Sequence, residues 1–274
     1  MPAPMTVNRA MVQSGLVPLE AQVLLAHVLA SNRSWLIAHG DAILTSDQAR
    51  SFDALARHRR NGVPIAYLTG HREFYGIDLE ITADVLIPRP ETELLVEFAL
   101  AQIQDRLPAR ILDLGSGSGA VTLAIARLRP AVTVLGVDVS PAAVALAQRN
   151  AVRLRIANAE FIESDWFTRV PAGAFDLILA NPPYVADTDP HLKQDDLRFE
   201  PPVALRGGVD GLDAIRIIVV GARGFLRDGG RLAVEHGYDQ AEPVQALIRA
   251  AGFDQVQSRR DLAGVERMSS GRAI

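Results

Sequence analysis

The sequence predicts an α/β protein in which a doubly wound, mainly parallel sheet of seven strands follows a small N-terminal helical bundle and a β-hairpin linker. Three observations predict this fold class. Short apolar runs typical of buried strands alternate with helix-like segments from about residue 110 to 250, helical periodicity precedes them, and two more strand-like segments follow. We therefore expect a helical domain over residues 1–72, a linker over 73–87 and an α/β domain over 88–274.

The N-terminal segment is predicted to be helical. Pro18 opens an apolar-periodic stretch that continues through Leu25 and Leu29, and Thr45 with Gln48 forms a capping box for a helix ending near Gly62. The basic run over residues 57–60 is either a local nucleic-acid patch or a set of cations that complement the end of this helix. The segment contains no catalytic constellation, so alone it indicates a binding or stabilising role.

The pattern then changes to short alternating segments. Residues 74–81 and 85–90 predict the hairpin linker, and a helix is expected from Pro90, with Glu91 and Glu93 in its first turn. The predicted strands are Arg110 to Leu114, Thr133 to Val137, Glu160 to Ile162, Phe175 to Ala180, Arg231 to Glu235, Phe253 to Val256 and Val265 to Arg272. We expect the last two to pair antiparallel.

Composition excludes several classes of function. The chain has no cysteine, which rules out disulfides, thiolate zinc sites and a cysteine nucleophile, and its six histidines form no ligand pair. A net charge of -4 argues against broad binding to a phosphate backbone. No signal peptide or long apolar run is evident, so we expect a soluble, cytoplasmic protein with no membrane partner.

A glycine-rich turn follows the first strand of the α/β region. Residues 113–119 read Asp-Leu-Gly-Ser-Gly-Ser-Gly and lead into a helix, an arrangement that lets backbone approach a ligand closely. Gly115, Gly117 and Ala120 also fit a loose dinucleotide fingerprint, so the loop predicts a bound nucleoside without choosing the cofactor. Asp138, at the end of the next strand, is placed to accept both ribose hydroxyls.

Asp165 and Trp166 follow the third strand. An acid beside a large ring suits an adenine, which needs an acceptor for its amino group and an apolar surface. Trp166 as an ordinary core residue is an equally good interpretation of this pair alone.

The tetrapeptide Asn181-Pro182-Pro183-Tyr184 comes directly after the fourth strand. Its prolines fix φ and remove backbone donors, which leaves carbonyl groups free to accept. The Asn181 side-chain oxygen and the Pro182 carbonyl could then each accept one N–H of a planar NH2 group, although a simple strand-ending turn is the alternative. A dehydrogenase would need an acid-base side chain here, so the tetrapeptide favours methyl transfer over hydride transfer.

Taken together, these residues resemble the HemK/PrmC family of protein-glutamine N-methyltransferases. The resemblance spans nearly the whole chain and depends on these segments: 62–67 with 74–76, Pro88 to Glu93, the loop over 113–119, Asp138, Asp165 with Trp166, 181–184, 207–212 and 261–264. The tetrapeptide alone is shared with DNA adenine and RNA guanine methyltransferases. The segment Pro88 to Glu93 and the N-terminal helical domain are what point to release factors.

The resemblance implies an S-adenosylmethionine-dependent methyltransferase fold and an enzyme that methylates N5 of the Gly-Gly-Gln glutamine of class 1 peptide chain release factors. S-adenosylmethionine would be the methyl donor and S-adenosylhomocysteine the product, with no metal. Residues implied in cofactor binding are Asp113, Gly115, Ser116, Gly117, Ser118, Gly119, Asp138, Asp165, Trp166 and Asn181. Those implied in catalysis are Asn181, Pro182 and Tyr184, with Pro183, Arg89, Glu91 and Thr92 also contacting substrate.

We further expect a monomer whose helical domain recognises the release factor and which makes no direct nucleic-acid contact. Two other functions fit parts of the sequence. One is an amino-methyltransferase acting on adenine or guanine in DNA or RNA, and the other is a non-catalytic adaptor that senses a nucleoside.

Overall fold

A computed structural model describes residues 4–103, 108–171, 173–193 and 195–274. The chain divides into two compact units: residues through His71 together with 195–199, and Arg72 to Lys193 together with Glu200 to Ile274. Among the described residues, no helix is both long and apolar enough to cross a membrane.

The first unit contains five helices in its described residues. They are α1 (Val7–Gln13), α2 (Pro18–Val28), α3 (Arg33–Ala38), α4 (Ser46–Arg60) and α5 (Ile65–Thr69). The predicted capping box is present, because Gln48 N donates to Thr45 Oγ1 at 3.2 Å and Thr45 N donates to Gln48 Oε1 at 2.9 Å. Fully buried Leu24, Leu25 and Leu36 form its core.

The basic run lies in the last turn of α4. Arg59 donates to Glu20 at 2.8 Å and to Asp196 at 2.8 Å, while Arg60 donates to the carbonyl of Ser14. These two cations therefore hold parts of the first unit together.

The hairpin differs in position from the prediction. It pairs β1 (His71–Phe74) with β2 (Ile77–Glu80), and the two-residue turn Tyr75-Gly76 has positive φ at both positions, 48° and 75°. Residues 85–90 form no strand, so that part of the predicted hairpin is wrong. Pro88 and Pro90 lack the backbone N–H that a ladder requires, which explains the difference.

The second unit contains the sheet and its flanking helices. The helices are α6 (Glu93–Gln102), α7 (Ala120–Leu128), α8 (Pro141–Leu154), α9 (Asp213–Ala222) and α10 (Ala241–Ala250). The strands are β3 (Ala109–Leu114), β4 (Val132–Asp138), β5 (Ala159–Glu163), β6 (Phe175–Ala180), β7 (Leu226–Glu235), β8 (Phe253–Arg260) and β9 (Glu266–Ala273). Short 3-10 turns cover Pro90–Thr92, Pro190–Lys193, Asp195–Phe199 and Pro202–Ala204, of which Asp195–Phe199 belongs to the first unit.

The sheet has the order β5-β4-β3-β6-β7-β9-β8. Strands β3 to β7 are parallel, and β9 pairs antiparallel with both β7 and β8, which confirms the predicted mainly parallel sheet of seven strands. All six residues of β6 are buried, because helices cover both faces of a central parallel strand.

The order of the strands reverses between β3 and β6. Chain order runs outward from β3 through β4 to β5, and then resumes on the other side with β6 and β7. The register pairs Leu114 with Ala180, so the glycine loop after β3 and Asn181 after β6 begin side by side. Such a switch point opens a crevice at the carboxyl edge of the sheet, where ligands bind in this class of fold.

Candidate active site

A cavity of about 510 Å³ lies at this crevice. Its walls include most of the predicted cofactor residues: Asp113, Gly115, Ser116, Gly117, Ser118, Asp138, Asp165, Trp166 and Asn181. Residues from the ends of four neighbouring strands thus meet around one space, as parallel strands require.

The glycine loop depends on left-handed backbone. Gly115, Gly117 and Gly119 have φ of 75°, 53° and 84°, which side-chain-bearing residues rarely adopt. A Cβ at Gly119 would also lie 2.9 Å from the ring of Phe161. Gly119 is therefore fixed by packing under the loop and does not line the cavity, whereas the other two glycines do.

Asp138 holds the loop in place. Its Oδ2 accepts from Gly117 N at 2.9 Å and its Oδ1 accepts from Ser140 N at 2.9 Å. Burial raises the pKa of Asp138, although these backbone hydrogen bonds oppose the rise. Each carboxylate oxygen can accept a further hydrogen bond, so the side chain can serve the loop and a ligand hydroxyl together.

Two side chains of the loop show that the cavity suits a polar ligand. Ser116 Oγ is buried and has no hydrogen-bond partner in the described part of the chain, although its residue lines the cavity. Asp113 accepts from Thr122 Oγ1 at 2.7 Å, and burial raises its pKa to about 6. A buried hydroxyl without a partner loses its hydration, so a ligand that hydrogen-bonds it would be favoured.

Asp165 and Trp166 form the wall next to β5. Asp165 is exposed, and Trp166 both lines the cavity and packs against the core of the sheet unit. Trp166 thus has the surroundings expected of a ligand-facing ring and also those expected of an ordinary core residue. Its φ of 45° is held by local contacts, including a hydrogen bond from Ser164 Oγ to the Trp166 carbonyl at 2.9 Å.

Asn181 forms the wall at the end of β6. Its Nδ2 donates to Thr92 Oγ1 at 3.0 Å, and Thr92 also lines the cavity. Within the described residues no donor is seen on Asn181 Oδ1, so this oxygen can accept from a ligand N–H.

The other residues of the tetrapeptide lie differently. Pro183 lines the cavity, whereas Pro182 and Tyr184 are not among its lining residues. The Tyr184 ring packs against the core, and its hydroxyl donates to Glu235 Oε1 at 3.3 Å. The ring therefore does not flank the cavity in this conformation.

The glycines of residues 207–211 support the tetrapeptide from behind. A Cβ at Gly207 would lie 2.8 Å from the Pro183 carbonyl, and one at Gly211 would collide with the Tyr184 carbonyl. Gln240 Nε2 also donates to the Tyr184 carbonyl at 3.1 Å. Only glycine permits this close backbone packing, which explains these residues of the motif.

Arg89 and Glu91 do not line the cavity, although Pro88 and Thr92 on either side of them do. Arg89 instead pairs with Glu200 at 2.6 Å, and the Glu200 side chain is fully buried. This pair joins two segments that each contribute to the cavity wall.

Sequence reasoning missed part of the wall. Residues 84–86 and 202–206 contribute Asp84, Val85, Leu86, Pro202, Val203, Ala204 and Arg206. These segments contain no strand-end signal, and only their nearness to the motif segments 88–93 and 207–212 could have indicated them.

No group of three or more histidine, aspartate or glutamate side chains that could hold a metal ion is found within the described ranges. Beside Asn181, burial raises the pKa of Glu235 to about 7. The titratable groups at this edge include the carboxyls of Asp113, Asp138 and Glu235 and the phenol of Tyr184. The arrangement can bind a polar nucleoside and orient an NH2 group.

Two families match the chain. Residues 12–70 match the PrmC N-terminal domain, and residues 91–197 match the methyltransferase small domain. The second match covers the glycine loop, Asp138, the Asp165-Trp166 pair and the Asn181 tetrapeptide.

Solved structures resemble the fold. A methyltransferase from Pyrococcus furiosus has a TM-score of 0.54 with 18% identity, covering 81% of this chain and 98% of that chain. The catalytic domain of hMettl16 has a TM-score of 0.58 with 13% identity, covering 84% of this chain and 83% of that chain. At this identity the likeness concerns the methyltransferase fold alone.

Curated relatives extend over nearly the whole chain. A release factor glutamine methyltransferase from Xylella fastidiosa is 45% identical and covers 99% of this chain and 98% of its own length. That from Burkholderia pseudomallei is 48% identical, with 99% and 97% covered, and that from Escherichia coli is 45% identical, with 92% and 91% covered. The chain therefore belongs to the release factor glutamine methyltransferase family.

Proposed function

We propose that this protein transfers a methyl group from S-adenosylmethionine to the side-chain amide nitrogen, N5, of the glutamine in the Gly-Gly-Gln motif of class 1 peptide chain release factors. Family membership supports the reaction. The observation that carries it in the structure is the Asn181 amide, anchored by Thr92 in the cavity wall beside the glycine loop.

The loop side of the cavity binds the methyl donor in this proposal. S-adenosylmethionine supplies a methyl group on a positively charged sulfur, and S-adenosylhomocysteine is left after transfer. Gly115 and Gly117 admit its amino-acid portion, Ser116 Oγ gains the hydrogen bond that it lacks, and Asp138 accepts from the ribose. Asp165 and Trp166 hold the adenine.

The Asn181 side positions the acceptor. A carboxamide nitrogen is a weak nucleophile, because its lone pair is delocalised into the carbonyl group. In this proposal Asn181 Oδ1 accepts one N–H of the glutamine from the cavity wall, and the carbonyl of Pro182, a residue outside the lining of that cavity, accepts the other. The two contacts direct the nitrogen toward the methyl group. A nitrogen–carbon bond forms while the sulfur–carbon bond breaks, and the excess proton leaves the nitrogen for water. The two acceptors stabilise the positive charge that develops on the nitrogen.

In this proposal the helical domain, residues 1–72, recognises the release factor. The linker over 73–87 sets the distance between recognition and chemistry. Arg89 and Glu91 contact the release factor in this proposal. Tyr184, whose ring packs against the core, acts on catalysis indirectly. The enzyme is a cytoplasmic monomer that uses no metal and contacts neither membrane nor nucleic acid.

The experiment is a labelled-methyl assay. The protein is incubated with labelled S-adenosylmethionine and one of three acceptors: a class 1 release factor, the same factor with its motif glutamine replaced by alanine, or bulk RNA and DNA. We expect label only in the unaltered release factor. Label entering only nucleic acid would support a base methyltransferase, and donor binding without transfer to any acceptor would support a non-catalytic adaptor.

A further inference from the structure

Glu235 is the last residue of β7 and lies one strand away from Asn181. The parallel pairing of Ala180 with Val234 brings the two following residues to the same edge of the sheet. Glu235 is only 2% exposed and does not line the cavity. The function proposed above therefore gives it no role.

Two hydroxyl groups converge on the Glu235 carboxyl. Tyr184 Oη donates to Oε1 at 3.3 Å, and the Thr92 hydroxyl lies near enough to the carboxyl to lower its pKa. Oε2 is buried and has no hydrogen-bond partner in the described part of the chain. The Thr92 hydroxyl, which can rotate, is therefore able to direct its own proton toward the carboxyl as well.

The orientation of the Asn181 amide depends on which group receives the single proton of the Thr92 hydroxyl. An ionised carboxylate only accepts, so the single Thr92 hydroxyl proton is directed to Glu235. Thr92 Oγ1 then has no proton for Asn181 and can only accept from Nδ2, as the 3.0 Å contact shows. The amide consequently turns its NH2 group to Thr92 and leaves Oδ1 as the acceptor for a ligand.

We propose that Glu235 is a positioning residue for methyl transfer: through the Thr92 hydroxyl, it holds the Asn181 side chain in the orientation that presents Oδ1 to the acceptor NH2. This inference rests on the proposed function, because an acceptor oxygen matters only if the ligand brings an NH2 group.

Glutamine at position 235 would remove this control. Its NH2 group can donate to Thr92 Oγ1, which frees the threonine proton to donate to Asn181 Oδ1. The Asn181 amide could then reverse and direct its own NH2 at the substrate NH2, where two donors face each other. Side-chain volume is nearly unchanged, so the packing around position 235 is retained.

The test measures kcat, KM for the release factor and the dissociation constant of S-adenosylmethionine at pH 8, above the pKa of about 7 that burial gives Glu235. We expect Glu235→Gln to lower kcat about tenfold or more, because misorientation costs turnover, while donor affinity stays within about twofold. Thr92→Val should lower kcat similarly, and Thr92→Ser, which keeps the hydroxyl, should retain at least about fivefold more kcat than Thr92→Val. The double variant Thr92→Val with Glu235→Gln should fall no further than the worse single variant, within about twofold.

The matched control is Asp176→Asn, which makes the same carboxylate-to-amide change at a buried residue of β6. Asp176 accepts from Arg110 N at 2.7 Å and pairs with Arg227, far from Asn181 along the strand. We expect its kcat to stay within about twofold of the starting protein.

The outcomes separate the two proposals. If the unaltered protein does not methylate the release factor, the proposed function fails and the role of Glu235 fails with it. Only the role of Glu235 is refuted if the unaltered protein is active but the kcat of Glu235→Gln matches that of the Asp176→Asn control. The same holds if the losses of kcat in Thr92→Val and Glu235→Gln simply add in the double variant. Should Glu235→Gln fail to fold, equal kcat for Thr92→Val and Thr92→Ser would refute it, and the expected difference would support it.

Discussion

Replacing Asp138 by asparagine tests the donor side of the site. The two oxygens of Asp138 accept from Gly117 N and Ser140 N, both at 2.9 Å. Asparagine has the same shape but only one acceptor oxygen, so its NH2 group must face one of these backbone donors. Loss of a charged hydrogen bond costs about 1.5 to 3 kcal/mol.

The expected change in affinity follows from that loss. If the ribose and the glycine loop both depend on the carboxylate, about 1.5 to 3 kcal/mol corresponds to a weakening of about ten- to a hundredfold in the dissociation constant of S-adenosylmethionine. Asp138→Ala removes both acceptors, so we expect it to weaken binding at least as much. In both variants the loss should be chiefly in donor affinity, because Asp138 makes no contact with Asn181 in the described hydrogen bonds.

Calorimetric titration of S-adenosylmethionine into both variants measures this directly. Asp176→Asn serves as control, because Asp176 also accepts a backbone N–H but does not line the cavity. An unchanged dissociation constant for Asp138→Ala would remove Asp138 from the binding site and refute the reasoning.

Three further predictions concern turnover, loop strain and pH. Asn181→Ala should lower kcat about a hundredfold by removing a positioning acceptor, while calorimetry finds donor affinity little changed; equal losses in both would contradict that role. Gly119→Ala should lower the free energy of unfolding, measured by denaturant titration, by about 1 to 3 kcal/mol. The loss should exceed that of Gly264→Ala, because both positions have positive φ but an added Cβ meets a steric clash only at position 119. Burial raises the pKa of Glu235 to about 7 and that of Asp113 to about 6, above their ordinary values of 4.5 and 3.8. The stability that these protons contribute is complete below the lower values and is lost as pH rises to about 7, so the free energy of unfolding should fall over that window. Glu235→Gln should remove on the order of 3 kcal/mol of the fall, and an unchanged slope of unfolding free energy against pH would contradict the buried carboxyl.

Much of the fold was predictable because its signals are local. The predicted strand Phe175 to Ala180 coincides with β6, and the capping box of Thr45 and Gln48 starts α4 as expected. Apolar runs, caps and glycines act within a few residues, so each can be interpreted without knowing the rest of the chain. The hairpin was misplaced because residues 85–87 are as apolar as a strand, although they form none.

The site was partly predictable for a related reason. Residues that end parallel strands meet at one edge of a sheet, so strand order in the sequence is enough to group Asp138, Trp166 and Asn181. The placement of Tyr184 could not be predicted in this way. Whether its ring faces the ligand or the core depends on packing against distant parts of the chain, and here it packs against the core.

The sequence alone therefore determined the fold class and the positions of the glycine loop and the Asn181 tetrapeptide, because each is encoded in a short contiguous pattern. Only the tertiary structure decided how Asn181 is oriented. Its partner Thr92 lies 89 residues away, and Glu235, which accepts from the Tyr184 hydroxyl, follows Tyr184 by 51 residues. No local pattern encodes such contacts, because they exist only once β6 and β7 lie side by side in the sheet.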